Sequence, residues 1–363
     1  MLDQYRCSSC DTMIVRSPLA GGPPSRSKCV MCLKNQIVQK FKQSLAEGLV
    51  ELANHGPSGE TRPRRRIGVV CSYDGRSQAL LQLIREAQHS GMKILPEIFL
   101  LESDFGIEEH ERAEVGKWVG DWPLKTFHLS SVLNIRNRQN VNDAVKREEY
   151  DHFMNALGDS CHRRDFKQLL FDKFCWNVGR QFRSHTVLTA ENFEILTFCA
   201  LSLQDQFRQA AVKPVTGLMD TRSRSRIVRP MHKIYDFELH LLLKIAGHDR
   251  SVFVSPAPER SIWVSYDAEH PSEEQKRSMT AVLYATQFQF KHHASDYEQA
   301  LITSGRVQNG GQSLQCRLCL MPERRDEGAL VENCCQPCIS LLTQVRGDIR
   351  DRIVRSLSSR VSS

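Results

Sequence analysis

The chain has 363 residues, 40% of them hydrophobic and 25% charged. That is a size for two or three domains of roughly 150 residues and a composition that excludes intrinsic disorder. The densest apolar run, "LHLLLKIA" over 239–246, falls far short of the ~20 residues of a membrane span, and the net charge of +7 permits a nucleic-acid partner without demanding one.

The first residues, "MLDQYRCSSCDTMIV", contain no apolar stretch of a signal peptide, so a cytoplasmic location and no membrane are expected. Thirteen cysteines in a reducing compartment read as metal ligands where they cluster. They do cluster. Cys7-x2-Cys10 and Cys29-x2-Cys32 frame a polar loop, "DTMIVRSPLAGGPPSRSK", whose Gly and Pro favour turns. Two CxxC knuckles put four thiolates around one tetrahedral Zn²⁺. A helix follows, with Ile37, Phe41, Leu45, Leu49 and Leu52 at helical spacing. Residues 1–53 are therefore expected as a zinc ribbon with its helix, and 54–66, "NHGPSGETRPRRR", as a basic linker. There Arg64, Arg65 and Arg66 either meet phosphates or form a solvated charge run.

From residue 67 strands and helices alternate. "RIGVVCS" reads as a strand, "SQALLQLIREAQHSG" as a helix stopped at Gly91, "KILPEIFLL" (93–101) as a strand, and "EEHERAEVGKWVGDW" as a helix. "LKTFHL" (124–129) is strand-like, 146–182 is helical, "RSHTVLTA" (183–190) is a strand and 191–210 a long helix. "SRIVRPMHKI" is a strand edge and "DFELHLLLKIAG" a helix. Such alternation predicts a mostly parallel sheet covered on both faces over 67–310, with strand-to-helix turns gathered on the ligand edge. Over 311–345, Cys316, Cys319, Cys335 and Cys338 repeat the four-thiolate pattern. Cys334 leaves the register open, but only Cys335 makes a CxxC knuckle with Cys338. Residues 346–363 read as a basic tail, an exposed helix.

The turn after the first strand, "SYDGRS", is Ser72, Tyr73, Asp74, Gly75, Arg76 and Ser77. A helix start offers N–H groups and a positive dipole end to an anion. The turn resembles the Ser-Gly-Gly-x-Asp-Ser loop of PP-loop ATP pyrophosphatases, with Ser72 and Ser77 kept. Tyr73 and Asp74 replace the two glycines and Arg76 the aspartate. A side chain at 73 obstructs close approach of phosphate, Asp74 brings negative charge, and Arg76 cannot hold Mg²⁺. Ordinary ATP chemistry on this chain is therefore not expected.

Ribbon, altered PP-loop domain and second ribbon, in that order, resemble the cytoplasmic tRNA 2-thiolation protein 2 family. The stretch Arg229, Pro230, Met231 with Glu238 in the following helix resembles that family's Arg-Pro-Met segment. The resemblance implies an adenine nucleotide alpha-hydrolase-like (PP-loop) α/β fold, doubly wound, flanked by N- and C-terminal zinc ribbons. It also implies a tRNA-binding, non-catalytic partner of a catalytic PP-loop thiolase subunit. Together they would place sulfur at C2 of the wobble uridine of cytosolic tRNAs, with sulfur arriving from a ubiquitin-like thiocarboxylated carrier. The alternatives are an ATP-dependent tRNA sulfurtransferase active in its own right and a zinc-ribbon adaptor that binds proteins.

Two more basic stretches stand out, Arg163, Arg164 and Lys167, and Arg222, Arg224, Arg226 and Arg229. The second leads into the Arg-Pro-Met strand, where arginines can grip tRNA phosphates; the other reading is a solvated basic loop. Cys71, Cys161, Cys175 and Cys199 are unpaired by any CxxC; Cys71 reads as core, and so do the other three, for which the resemblance implies sulfur transfer or a cluster as the alternative. Asp220 and Asp296 are isolated, and no Ser-His-Asp or paired-carboxylate arrangement emerges.

Overall fold

This computed structural model describes residues 4–7, 9–15, 28–53, 65–102, 108–133, 142–157, 160–181, 186–196, 217–220, 222–223, 225–248, 314–316, 318–319, 322–323, 334–343, 345 and 347–357. Ten short strands and eight helices of those residues carry the argument. Strands β1 (Gln4–Arg6) and β2 (Met13–Val15) form an antiparallel hairpin. After it comes α1 (Val30–Ala53). The α/β unit runs β3 (Arg65–Cys71), α2 (Gly75–His89), β4 (Ile94–Glu102), α3 (Glu109–Val119) and β5 (Leu124–His128). It continues with α4 (Asp143–Ala156), α5 (Ser160–Gln181), β6 (Thr186–Thr189), β7 (Met219–Asp220), β8 (Arg226–Val228) and α6 (Asp236–Ile245). The strands β9 (Leu314–Gln315) and β10 (Pro322–Glu323) and the helices α7 (Gln336–Thr343) and α8 (Gly347–Leu357) close the chain.

The main sheet has the order β5-β4-β3-β6-β8-β7, parallel except for β7 at the edge. Each strand alternates its side chains between two apolar layers. Ile67, Val69 and Cys71 of β3 pack with Ile98 and Leu100 of β4 against α1, α2, α3 and α6. On the other face Val70, Phe99 and Leu101 pack against α4 and α5. Gly68 points at α5, where an added Cβ would lie 3.2 Å from Val178. The helix stop expected at Gly91 is observed, with φ at +90°.

The order of strands reverses between β3 and β6, because the chain leaves β3 toward β4 and β5 and returns to β6 on the other side. A crevice at such a switch point, outside the carboxyl ends of the strands, is where doubly wound sheets bind ligands. The loop 72–77 follows β3 and residues 190–194 follow β6 at that edge, and Asp236 links them by pairing with both Arg76 and Asn192.

Three expected boundaries shift. Helix α1 belongs to the sheet's core rather than to a separate ribbon unit: Ile37, Phe41, Leu45 and Leu49 are buried in the layer that covers β3 and β8. Gly48 comes so close that an added Cβ would meet Val228 at 2.6 Å. Strand β3 begins at Arg65, inside the stretch read as linker. The carboxyl tail is no free helix either, since Ile349, Ile353 and Leu357 of α8 are buried beside α4. A hydrophobic stripe at i, i+4 and i+8 explains this packing. The helical region 146–182 is two helices, α4 and α5. The helix expected over 191–210 is described only at 193–196.

Candidate functional site

Helix α2 begins directly after β3, so its first N–H groups face the switch-point crevice. In this chain a carboxylate of the protein already sits there. Asp74 is the N-cap: its Oδ1 accepts from the Ser77 N–H at 2.7 Å, and its Oδ2 accepts from the Ser72 hydroxyl. The Ser72 N–H donates to Ser77 Oγ at 2.9 Å, closing the turn. The anion that a helix start attracts is therefore supplied internally.

The neighbours lock the loop further. Tyr73 turns away from the crevice and stacks on Trp118 of α3, with ring centroids 5.3 Å apart and planes at 3°; its hydroxyl donates to Glu114 at 2.7 Å. Arg76 makes a two-pronged pair with Asp236, Nε to Oδ1 at 3.0 Å and Nη2 to Oδ2 at 2.8 Å. That pair joins the N-termini of α2 and α6. Asp236 also accepts from Asn192 at 2.8 Å, and its N–H donates to Glu194 at 3.0 Å. Burial, with the nearby Asp236 charge, pushes the Glu194 carboxyl up to about 8. Gly75 is buried beneath the loop at the first turn of α2.

Glu238 caps α6 by accepting from the Tyr235 N–H at 3.0 Å and holds Lys40 of α1 at 2.7 Å. Met231 is buried and bridges to Asn192. The Arg-Pro-Met segment is thus part of the frame of the crevice.

The arginines expected to face RNA divide. Arg222 is corrected to a core residue. It lies between Asp172 and Asp220, 2.6 Å from each, donates to the Cys319 carbonyl at 3.1 Å and lies over the Trp176 ring at 5.2 Å. Arg229 is likewise corrected: 1% exposed, it bonds Glu191 at 3.0 Å and the Gly217 carbonyl at 3.2 Å. Asp220, isolated in sequence, is the centre of this network. Against the burial that would raise its carboxyl, Arg222 and Arg229 hold it below the ordinary value. Arg226 is half-buried, and its Nη1 is buried with no hydrogen-bond partner among the described residues, so it too faces inward in part. Arg66 is exposed. The side chain of Arg65, and Arg64 and Arg224 altogether, lie outside the described residues, as do Cys199 and the side chain of Cys161. Arg163 caps α4 by donating to the Leu157 carbonyl at 2.7 Å. Cys71 and Cys175 are buried, and burial raises both thiols far above their ordinary value; neither is a ready thiolate.

Both cysteine quartets assemble. Cys7, Cys10, Cys29 and Cys32 bring their sulfurs within 4.8 Å of one another, and so do Cys316, Cys319, Cys335 and Cys338. The Cys10–Cys29 and Cys319–Cys335 sulfurs are 3.5 and 3.6 Å apart. A tetrahedral ion at a Zn–S length of ~2.3 Å needs sulfurs about 3.8 Å apart, so each quartet fits one ion. The knuckle geometry is present in the first ribbon, where the Cys29 and Ser9 N–H groups donate to Cys7 Sγ at 3.2 and 3.4 Å. The Cys29 bond is the main cause that lowers the Cys7 thiol to about 6, as a thiolate ligand requires. Four thiols this close cannot all ionise without a cation: the hydrogen bond with Cys10 pushes Cys32 up to about 12, and that with Cys316 raises Cys338. Cys334 is buried beside the second quartet and outside it. A four-sulfur tetrahedron suits Zn²⁺ or iron. No helix among the described residues is long and apolar enough to cross a membrane.

No protein-family model matches this sequence, and no curated protein matches it. Its fold is similar to that of the U34-tRNA thiolase NcsA from Methanococcus maripaludis with its [4Fe-4S] cluster. The identity is 12%, the match covers 86% of this chain and 90% of that one, and the TM-score is 0.53. Weaker likenesses are the NH3-dependent NAD synthetase from Campylobacter jejuni, at 10% identity, 79% and 100% coverage and TM-score 0.35, and the NAD+ synthetase from Burkholderia pseudomallei, at 13%, 76% and 91%, and 0.36. The first likeness establishes the PP-loop α/β fold, which here carries a four-cysteine site at each end.

Proposed function

We propose that this chain is a non-catalytic, tRNA-binding subunit of a wobble-uridine thiolation complex, paired with a catalytic PP-loop subunit. The observation that carries it is the nucleotide loop. Asp74 fills the anion position at the start of α2, and Arg76 is committed to Asp236. A nucleotide phosphate entering there meets a carboxylate, and the Ser77 N–H is already taken. The fold likeness to a protein named as a U34-tRNA thiolase supports the substrate class. In this reading the partner activates the uridine with ATP in the cytoplasm, a ubiquitin-like carrier bearing a thiocarboxylate brings sulfur, and this chain holds the RNA. The two quartets hold Zn²⁺, as closed structural sites do.

The test is ATP consumption by the purified chain with tRNA, alone and with its co-purifying partners. The chain alone is expected to be inactive and the complex active. ATP turnover by the chain alone, abolished by Ser72→Ala, would make it a sulfurtransferase in its own right. Binding of proteins but no RNA would make it an adaptor. Metal analysis should give two zinc equivalents; iron in their place would overturn the zinc assignment.

A further inference from the structure

Two strands away from the nucleotide loop, about 10 Å at the usual strand spacing, a cavity of about 420 Å³ opens beside β5, between α4 and α5. Glu102, the last residue of β4, sits in its wall with its side chain 9% exposed. Two arginines share it. Arg112 Nη2 reaches Oε1 at 2.9 Å and Arg147 Nη2 reaches Oε2 at 2.6 Å.

Arginine–carboxylate pairs often use both prongs of one guanidinium. Here each arginine spends one nitrogen, and its Nε and Nη1 have no partner among the described residues. Their side chains are 54% and 49% exposed. A third cation, Lys146, also lines the cavity. Among the described residues its nearest carboxylate oxygen, on Asp143, is 4.0 Å away, beyond a hydrogen bond, and Asp143 itself is 87% exposed to water. Three cations thus share the wall with two carboxylates, desolvated Glu102 and solvent-exposed Asp143, and Glu102 holds two of the cations apart rather than neutralising them. Asn177 and Ser131 add hydrogen-bonding groups, and the Phe127 and Phe174 rings, 5.6 Å apart, add an apolar wall.

The size is that of a small-molecule pocket; a bare phosphate would leave most of it empty. We propose that this cavity is a phosphate-binding site for a nucleotide, either a free mononucleotide or one residue of an RNA chain. Arg112, Arg147 and Lys146 take the phosphate, and the aromatic wall takes the attached ring. The choice of a nucleotide among anions rests on the tRNA reading above; the cationic cavity does not.

The experiment uses the full chain. Titration with uridine 5′-monophosphate is followed by calorimetry, and tRNA binding is measured over a range of salt. Lys146→Gln removes a cation that supports no buried partner, and Ser131→Asp adds a carboxylate to the wall; thermal melting checks that both variants fold. Lys146→Gln should weaken mononucleotide binding about tenfold, the worth of one charged hydrogen bond, and Ser131→Asp should abolish it. If the occupant is part of RNA, Lys146→Gln also lowers the salt slope for tRNA by about 0.7–0.9. Weakened mononucleotide binding with unchanged tRNA binding identifies a free nucleotide as the occupant. Absence of mononucleotide binding, or equal affinity in both variants, overturns the proposal even where tRNA still binds. Mononucleotide binding that responds to both variants in a chain that ignores tRNA keeps the cavity and removes the RNA reading.

Discussion

Arg222 is held by two carboxylates, neighbouring Asp220 and Asp172 fifty residues before it in sequence, with all three side chains less than a tenth exposed. Removing one partner of such a group leaves the others charged and dry. Arg222→Ala should therefore cost about 3–5 kcal/mol of stability, read by denaturant unfolding. Arg222→Lys should recover only part of it, because an ammonium cannot reproduce the planar fork. A variant of unchanged stability and weaker tRNA binding would return Arg222 to the RNA surface. The basic stretch around it looks the same in sequence whether its arginines face water or carboxylates. What distinguishes them is Asp172, on α5, and no local pattern announces a partner at that distance. Asp74 was legible as an added negative charge, yet its role as helix cap depends on the exact turn that Ser72 and Ser77 close.

At the scale of elements, the ribbons were legible because metal ligands are specified by short spacings, and the sheet because apolar periodicity is local. Their attachment was not, since it depends on faces meeting across the fold. The two ribbons differ most in this respect. Cys316, Cys335 and Cys338 are buried in the same apolar layer as Phe166, Leu170 and Phe174 of α5, with α7 and α8 over them. Arg222 ties the Cys319 carbonyl to the sheet, and Lys173 donates to the Leu357 carbonyl at the end of α8. In the first ribbon Cys10 is exposed and Cys29 and Cys32 half-buried. Metal binding energy is folding energy for whatever the metal organises. Cys338→Ser should lose one metal equivalent and lower global stability by more than about 3 kcal/mol. Cys7→Ser should lose one equivalent and leave the global transition within about 1 kcal/mol. Metal analysis with urea unfolding checks both. Equal effects on unfolding would mean the first ribbon is as integral as the second.

For the whole molecule, stability against pH reports two groups at the crevice that pull in opposite directions. His232 is lowered to about 4 by burial, with the Lys233 and Arg229 charges adding to it. Between about 4 and its ordinary 6.5 the unfolded chain binds a proton there that the folded chain refuses, so His232 makes stability rise with pH. Glu194 is raised to about 8 from an ordinary 4.5. Between those values the folded chain holds a proton that the unfolded chain has released, so Glu194 makes stability fall with pH. Each full difference of one proton gives a slope of about 1.4 kcal/mol per pH unit. From about 4.5 to 6.5 the two slopes cancel, and the pair's joint contribution should be nearly flat. From about 6.5 to 8 Glu194 alone of the two still acts, and its contribution should fall at a slope approaching 1.4 kcal/mol per unit. Glu194→Gln should remove that fall and expose the His232 rise at lower pH. His232→Gln should extend the fall down toward pH 4.5. Denaturant unfolding across pH 4 to 8.5 measures all three chains. Wild-type and Glu194→Gln curves that run parallel above pH 6.5 would mean that Arg76 and the Asp236 N–H keep Glu194 ionised in the fold, and the crevice would then carry a full negative charge at neutral pH.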